Sequence, residues 1–168
     1  MNKMWIVIKY KKKELGLLKE ELKRVIGEVP RFYIPKIKIQ KINKKNTTLI
    51  KQELLNDYLF CYHEKFLKIN FSIFNYLKGI KYCLSDINSQ QKDVSNFINI
   101  CKKYQDKNEC LKQEFFNYLN LNKGIFLTGP LTSMFFEIIE KQKKKLKLVV
   151  GNMSVTISKK SNYLYRPV

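Results

Sequence analysis

Alanine is absent from this chain, histidine occurs once, at His63, and arginine only at Arg24, Arg31 and Arg166. With one histidine, no Ser or Cys motif has an evident base partner, so nothing supports nucleophilic catalysis. The 6 glycines are scattered and form no phosphate-cradling loop. The 14 acidic residues are dispersed, with no pair whose spacing demands acid–base work. Cys61, Cys83, Cys101 and Cys110 form no Cys-x-x-Cys pair, so the clustered ligands of a zinc site are missing. Cys61, Cys83 and Cys101 fall at apolar positions of expected elements and read as reduced packing cysteines. No run approaches the roughly 18 apolar residues of a membrane span. The N-terminus lacks the apolar stretch and small-residue cleavage site of a signal peptide. These absences lead to the expectation of a cytoplasmic, non-enzymatic protein, with no membrane association, metal or cofactor.

What is present is positive charge. The 168 residues carry 33 Lys plus Arg against 14 Asp plus Glu, a net of +19, which fits a polyanionic partner. Part of that charge reflects coding bias, because Lys, Ile and Asn abound where Ala and Arg do not. Residues 1–53 hold 15 basic and 5 acidic groups, residues 54–118 hold 9 and 7, and residues 119–168 hold 9 and 2. The basic surface therefore belongs to the two ends. An apolar content of 45%, with 13% aromatic, suffices for a packed core.

Along the chain, Trp5-Ile6-Val7-Ile8 reads as a strand over Met4 to Tyr10. Leu15, Leu18, Leu22, Val25 and Ile26 recur at helical spacing, and Gly27 closes that helix. Phe32-Tyr33-Ile34 is extended between Pro30 and Pro35. Ile37, Ile39 and Ile42 alternate with lysines as a strand with one wet face. Asn43 to Asn46 turn it into a return strand, Thr47 to Lys51. Tyr58 to Tyr62 is a central strand, residues 65–78 a second helix with Ile69, Ile73, Phe74 and Leu77 inward, and Ile80 to Leu84 a strand. A third helix starts at Ser89 or Gln90 and carries Val94, Phe97, Ile98 and Cys101. Residues 105–122 are polar and read as a partly helical linker. Beyond it, short apolar runs at Ile125 to Leu127, Phe135 to Ile139, Leu146 to Val150 and Val155 to Ile157, with turns at Gly129-Pro130 and Gly151-Asn152, predict five short strands in a small barrel. The expected class is α+β.

This order of landmarks resembles the NusG family of transcription elongation factors, and its specialised RfaH branch more closely. The resemblance rests on Met4 to Tyr10, on Ile34-Pro35 followed by the alternating run to Ile42, on Glu53 to Phe60, on Lys78-Gly79-Ile80, and on Ile125 to Leu131. Asn56-Asp57 stand where the family has Pro-Gly, and Met134-Phe135-Phe136 where its barrel module has a glycine. The resemblance implies an N-terminal NusG-type sandwich over 1–104, an antiparallel sheet flanked by helices, then the 105–122 linker and an SH3-like KOW β-barrel over 123–168. It implies a monomeric antitermination factor that binds the clamp helices of RNA polymerase and holds the clamp closed. The matching pocket residues are Trp5, Val7, Leu55, Tyr58 and Phe60, and a second polymerase contact falls at Asn70, Phe71 and Ser72. Tyr10, Lys11, Lys12, Lys13 and Arg24 match the edge that meets the non-template DNA strand. The C-terminal module would recruit the ribosome or Rho. Residues 131–146 carry helical as well as strand patterning, with Gly129, Pro130, Gly151 and Val155 favouring the barrel as ground state. A ribosomal or other RNA-binding protein with a KOW-like barrel is the alternative that the charge and the tail leave open.

Overall fold

A computed structural model describes residues 4–42, 46–84, 90–119, 122–159 and 163–168. The fold is mixed α+β, with antiparallel sheets and few helices. The chain divides into two compact units, 1–35 with 53–103, and 36–52 with 104–168.

In the first unit, β1 (Trp5–Tyr10), β2 (Arg31–Tyr33), β5 (Tyr58–Tyr62) and β6 (Ile80–Cys83) form a four-stranded sheet in the order β2-β5-β1-β6. Alternation along β1 separates its side chains onto two faces. Ile6, Ile8 and Tyr10 enter a core with Leu59 and Cys61 and with Leu18, Leu22 and Ile26 of helix α1 (Leu15–Ile26). Trp5 and Val7 join Phe60 on the opposite face, against Ile98, Val94 and Phe97 of helix α2 (Gln91–Lys103). Both faces of the sheet are thus covered. Each fully buried large side chain contributes roughly 1.5–3 kcal/mol of transfer free energy. Gly27 ends α1 at φ +89°, its N–H donating to the Lys23 carbonyl at 2.7 Å.

The helix expected over 65–78 is instead two 3₁₀ turns, Glu64–Leu67 and Phe71–Tyr76. Each starts on a side-chain cap: His63 Nδ1 accepts from the Lys65 amide at 3.1 Å, and Asn70 Oδ1 from the Ser72 amide at 3.0 Å. Such local bonds compete with α-helix. Phe66, Phe74 and Leu77 are buried, but Ile73, expected inward, is exposed. The third helix begins at Gln91; Ser89 lies outside the described residues, as do residues 43–45 of the expected turn.

In the second unit, β3 (Lys36–Ile42) and β4 (Thr47–Glu53) form the expected hairpin. It belongs with the C-terminal residues rather than with the first sheet. The Leu111 amide donates to the Lys36 carbonyl and the Gln40 amide to the Leu127 carbonyl, both at 2.8 Å. Gln40 Oε1 accepts from the Gly129 amide at 2.8 Å. Lys38 pairs with Asp106. Nor is 105–122 simply a linker, because helix α3 (Gln113–Tyr118) buries Phe115 and Phe116. Five strands follow: β7 (Lys123–Phe126), β8 (Phe135–Lys141), β9 (Lys145–Val150), β10 (Met153–Ser158) and β11 (Tyr165–Pro167). They form one antiparallel sheet in the order β10-β9-β8-β7-β11. The fifth strand, around Tyr165, is a run that apolar patterning does not single out. Phe126, Phe136 and Tyr165 pack ring to ring, with centroids 4.6 to 6.3 Å apart. No helix among the described residues is long and apolar enough to cross a membrane.

Two glycines make opposite predictions. Gly79 sits at φ +83°, and a Cβ there would lie 2.9 Å from Leu18 Cβ and 3.0 Å from the Glu14 carbonyl oxygen. Gly79→Ala is expected to cost about 2 kcal/mol or more. Gly16 lies within α1 with nothing within 4 Å of its added Cβ, so Gly16→Ala is expected to stabilise by about 0.5–1 kcal/mol. Denaturant midpoints at constant slope measure both.

Asp106 generates a pH prediction. Its hydrogen bond from Lys38, then the amides of Cys110 and Asn108, pull its carboxyl down to about 2. A depressed carboxyl contributes stability that is complete above the unfolded value near 4 and is lost as pH falls towards 2. The stability difference between the parent protein and Asp106→Asn should therefore shrink across that interval, as read by unfolding followed with circular dichroism.

Candidate docking surface and basic edge

Five residues assigned to a polymerase pocket do come together. Trp5, Val7, Leu55, Tyr58 and Phe60 all belong to the cluster beneath α2. Register explains it: on adjacent strands Trp5 faces Tyr62, Val7 faces Phe60, and Lys9 faces Tyr58. Their accessibility differs, however. Val7 and Phe60 are 7% and 5% exposed and pack against Ile98, so they are core. Trp5, Leu55 and Tyr58 are half-buried at its margin.

Two neighbours extend that margin, and neither was singled out from the sequence. Lys9 faces Tyr82 on its other flank, and its ammonium lies 5.2 Å from the Tyr58 ring centroid and 5.3 Å from that of Tyr82. The two tyrosine hydroxyls hydrogen-bond to each other, and the rings meet edge to face at 6.3 Å. Desolvation beside the rings pulls the Lys9 pKa down, but Asp57 and the two phenols outweigh it, so the net shift is upward. The bond to Tyr82, and then desolvation, raise Tyr58. This rim is therefore one ammonium held between two tyrosine rings, with Tyr82 39% exposed. Period-two alternation, which puts Lys9 on the Trp5 and Val7 face, was the signal available for finding it.

Gln91 is the third residue that sequence patterning missed. Its Oε1 accepts from the Trp5 amide and its Nε2 donates to the Trp5 carbonyl, both at 2.8 Å. The side chain replaces the backbone pairing that the start of β1 would otherwise lack, and it ties α2 to the strand.

Asn70, Phe71 and Ser72 are not part of this surface. Phe71 packs on the α1 side of the sheet, with its ring 5.6 Å from that of Phe74, and Asn70 caps its own 3₁₀ turn.

The basic edge divides similarly. Tyr10 is fully buried and its hydroxyl donates to Glu53 Oε1 at 2.6 Å, so its ring is not available to stack on a base. That correction follows from parity, since Tyr10 shares the inward face with Ile6 and Ile8. Burial, with the Glu53 bond adding to it, pushes its phenol far up. Lys11, Lys12 and Lys13 are exposed and line an open depression with Glu14, Asn56, Asp57 and Lys81. Lys12 pairs with Glu53 at 2.7 Å, Lys81 with Asp57 at 2.7 Å, and Lys11 with Glu14 at 3.5 Å. Lys13 makes no ion pair among the described residues. Asn56 takes φ +55°, the left-handed turn conformation that its short polar side chain tolerates. Arg24 stands apart on α1, bound to Glu21 at 2.9 Å.

No group of three or more potential ligands among the described residues could hold a metal. Cys61 and Cys101 are buried, and desolvation lifts the Cys101 thiol to about 12 although the Tyr33 hydroxyl opposes it. No protein-family model matches the chain, and neither does any curated protein.

Core and margin should separate on mutation. Phe60→Ala is expected to cost about 3–5 kcal/mol, and Tyr58→Ala or Tyr82→Ala no more than about 1.5 kcal/mol, in equilibrium unfolding.

Proposed function

We propose that the chain is a transcription elongation and antitermination factor similar to the NusG family and its RfaH branch. It binds RNA polymerase through the first unit and stabilises the closed clamp. The mechanism is differential binding of one polymerase conformation, without covalent chemistry.

The observation that carries this reading is the Tyr58–Lys9–Tyr82 rim beside the half-buried Trp5 and Leu55. Rigid rings supply contact area at low entropic cost, and the ammonium suits an acidic helical partner. The pocket is narrower than its five assigned residues, because Val7 and Phe60 form its floor. Lys11, Lys12 and Lys13 are the candidate contacts to the non-template strand, with Lys13 the least engaged by acids. The strand order β11-β7-β8-β9-β10 places the last strand beside the first, which supports a small SH3-type barrel of the KOW kind. That module is the candidate recruiter of the ribosome or Rho. Action in the cytoplasm, as a monomer, completes the proposal.

One observation favours the second reading, an RNA-binding or ribosomal protein. The second unit carries 17 basic and 5 acidic residues, a net of +12 out of the total of +19. Co-sedimentation with ribosomes at high salt would select that reading.

The test uses the full chain, since truncation after residue 104 would strip the β3–β4 hairpin of its partners. Tyr58→Ala and Tyr82→Ala should each weaken binding to core RNA polymerase by about 1–3 kcal/mol, roughly 5- to 150-fold in Kd. Full-strength binding by both folded variants would remove the rim from the interface.

A further inference from the structure

Alternation gives the five-stranded sheet of the second unit one packed face and one wet face. Phe126, Phe136, Leu148 and Tyr165 are buried on the first. Register defines the second, because residues directly opposite on neighbouring strands share a face. Arg166 is opposite Ile125 and Ile125 is opposite Phe135, so these three form a row across β11, β7 and β8. Further along, Glu140, Lys147 and Thr156 form a row across β8, β9 and β10, and Lys145 stands opposite Ser158. None of the assignments above uses this face.

A solitary exposed ring is ordinary on a protein surface. Phe135 is not solitary. It is 62% exposed although its chain neighbour Phe136 is core, and it continues a row whose other members are the half-buried Ile125 and Arg166. An aromatic ring in the same row as a guanidinium presents a flat apolar surface beside a cation.

The charges of the face are unbalanced. Glu137 and Glu140 are the only acids in residues 119–168. Lys123 binds Glu137 at 3.3 Å, and Glu140 Oε1 accepts from Gln142 Nε2 at 2.9 Å. Arg166, Lys145 and Lys147 make no ion pair among the described residues. Three cations are therefore open to an anionic partner on the face that carries the exposed ring. Phe135 and Glu140 are five residues apart on β8, which separates their rows by roughly 15 Å. A chain laid along β8 meets both rows.

We propose that this wet face binds a single strand of nucleic acid, with one base stacked on Phe135 beside Arg166 and later phosphates on Lys147 and Lys145. Stacking on an aromatic ring next to a cationic track is the chemistry that holds single strands without regard to sequence. A duplex has its bases already stacked on one another and leaves none for Phe135. An acidic peptide would pair with the cations but gain nothing comparable from the ring. The inference is independent of the polymerase surface, which belongs to the other unit.

The test titrates the full-length chain with a labelled 12-nucleotide oligouridine, an oligothymidine of the same length and an oligoglutamate of the same length, over a range of salt. The expected result is tighter binding of an oligonucleotide than of oligoglutamate, the better of the two strands identifying the sugar. Phe135→Ala should weaken that binding roughly 5- to 150-fold with the slope of log K against log[salt] unchanged, and Phe135→Tyr should retain it. In Lys145→Gln/Lys147→Gln the slope should fall by about 0.7 per lost contact, while Lys78→Gln, in the first unit, should leave it unchanged. Oligoglutamate binding as tight as that of either oligonucleotide would overturn the proposal in favour of an acidic protein segment. Full-strength oligonucleotide binding by Phe135→Ala, in a variant whose circular dichroism matches the parent, would remove the ring from any site. No binding of either oligonucleotide would overturn the site itself.

Discussion

The first unit depends on a single strand having two committed faces. Ile6, Ile8 and Tyr10 belong to one core and Trp5 and Val7 to the other, so a one-residue slip of β1 would exchange them. Such a slip would put Lys9 into the α1 core and expose Tyr10, whose hydroxyl is held by Glu53. Two devices oppose it. Gln91 grips both polar backbone groups of Trp5, and the Tyr10 amide donates to the Asp57 carbonyl at 2.8 Å. With register fixed at both ends, Lys9 has one position, between Tyr58 and Tyr82. The candidate docking rim is thus a consequence of how the sheet is locked.

Parity was legible in the residues. The strand over Met4 to Tyr10, the amphipathic helix closed by Gly27, and the hairpin with its return strand over Thr47 to Lys51 follow from periodicity and turn chemistry; the structure has the strand from Trp5 and carries the return strand on to Glu53. The set Trp5, Val7, Leu55, Tyr58 and Phe60 comes from the family resemblance; parity accounts for Trp5 with Val7 and for Tyr58 with Phe60, but not for Leu55, which lies between β4 and β5. Whether a face is wet or covered was not legible. Val7 and Phe60 became core because α2 returns over them, a contact made across some 35 residues or more of chain, which local patterning does not encode.

The remaining differences have similarly non-local or competing causes. Residues 64–76 have apolar residues at helical spacing, yet His63 and Asn70 capture nearby amides and split the segment into 3₁₀ turns. The 105–122 stretch looks like a linker because its charged residues dilute Phe115 and Phe116, which find partners only in the folded second unit. The β3–β4 hairpin was recognised as a hairpin, but its neighbours are set by bonds from Lys36 and Gln40 to Leu111, Leu127 and Gly129. Those partners lie some 75 to 90 residues downstream.

The most direct measurement of the central claim is hydrogen–deuterium exchange of the full chain, alone and with core RNA polymerase. The account predicts new protection in the 54–58 turn and in 80–84, beside Tyr58 and Tyr82, with little change over 64–76. Protection confined to 64–76 or to the second unit, or no protection with saturating polymerase, would contradict it.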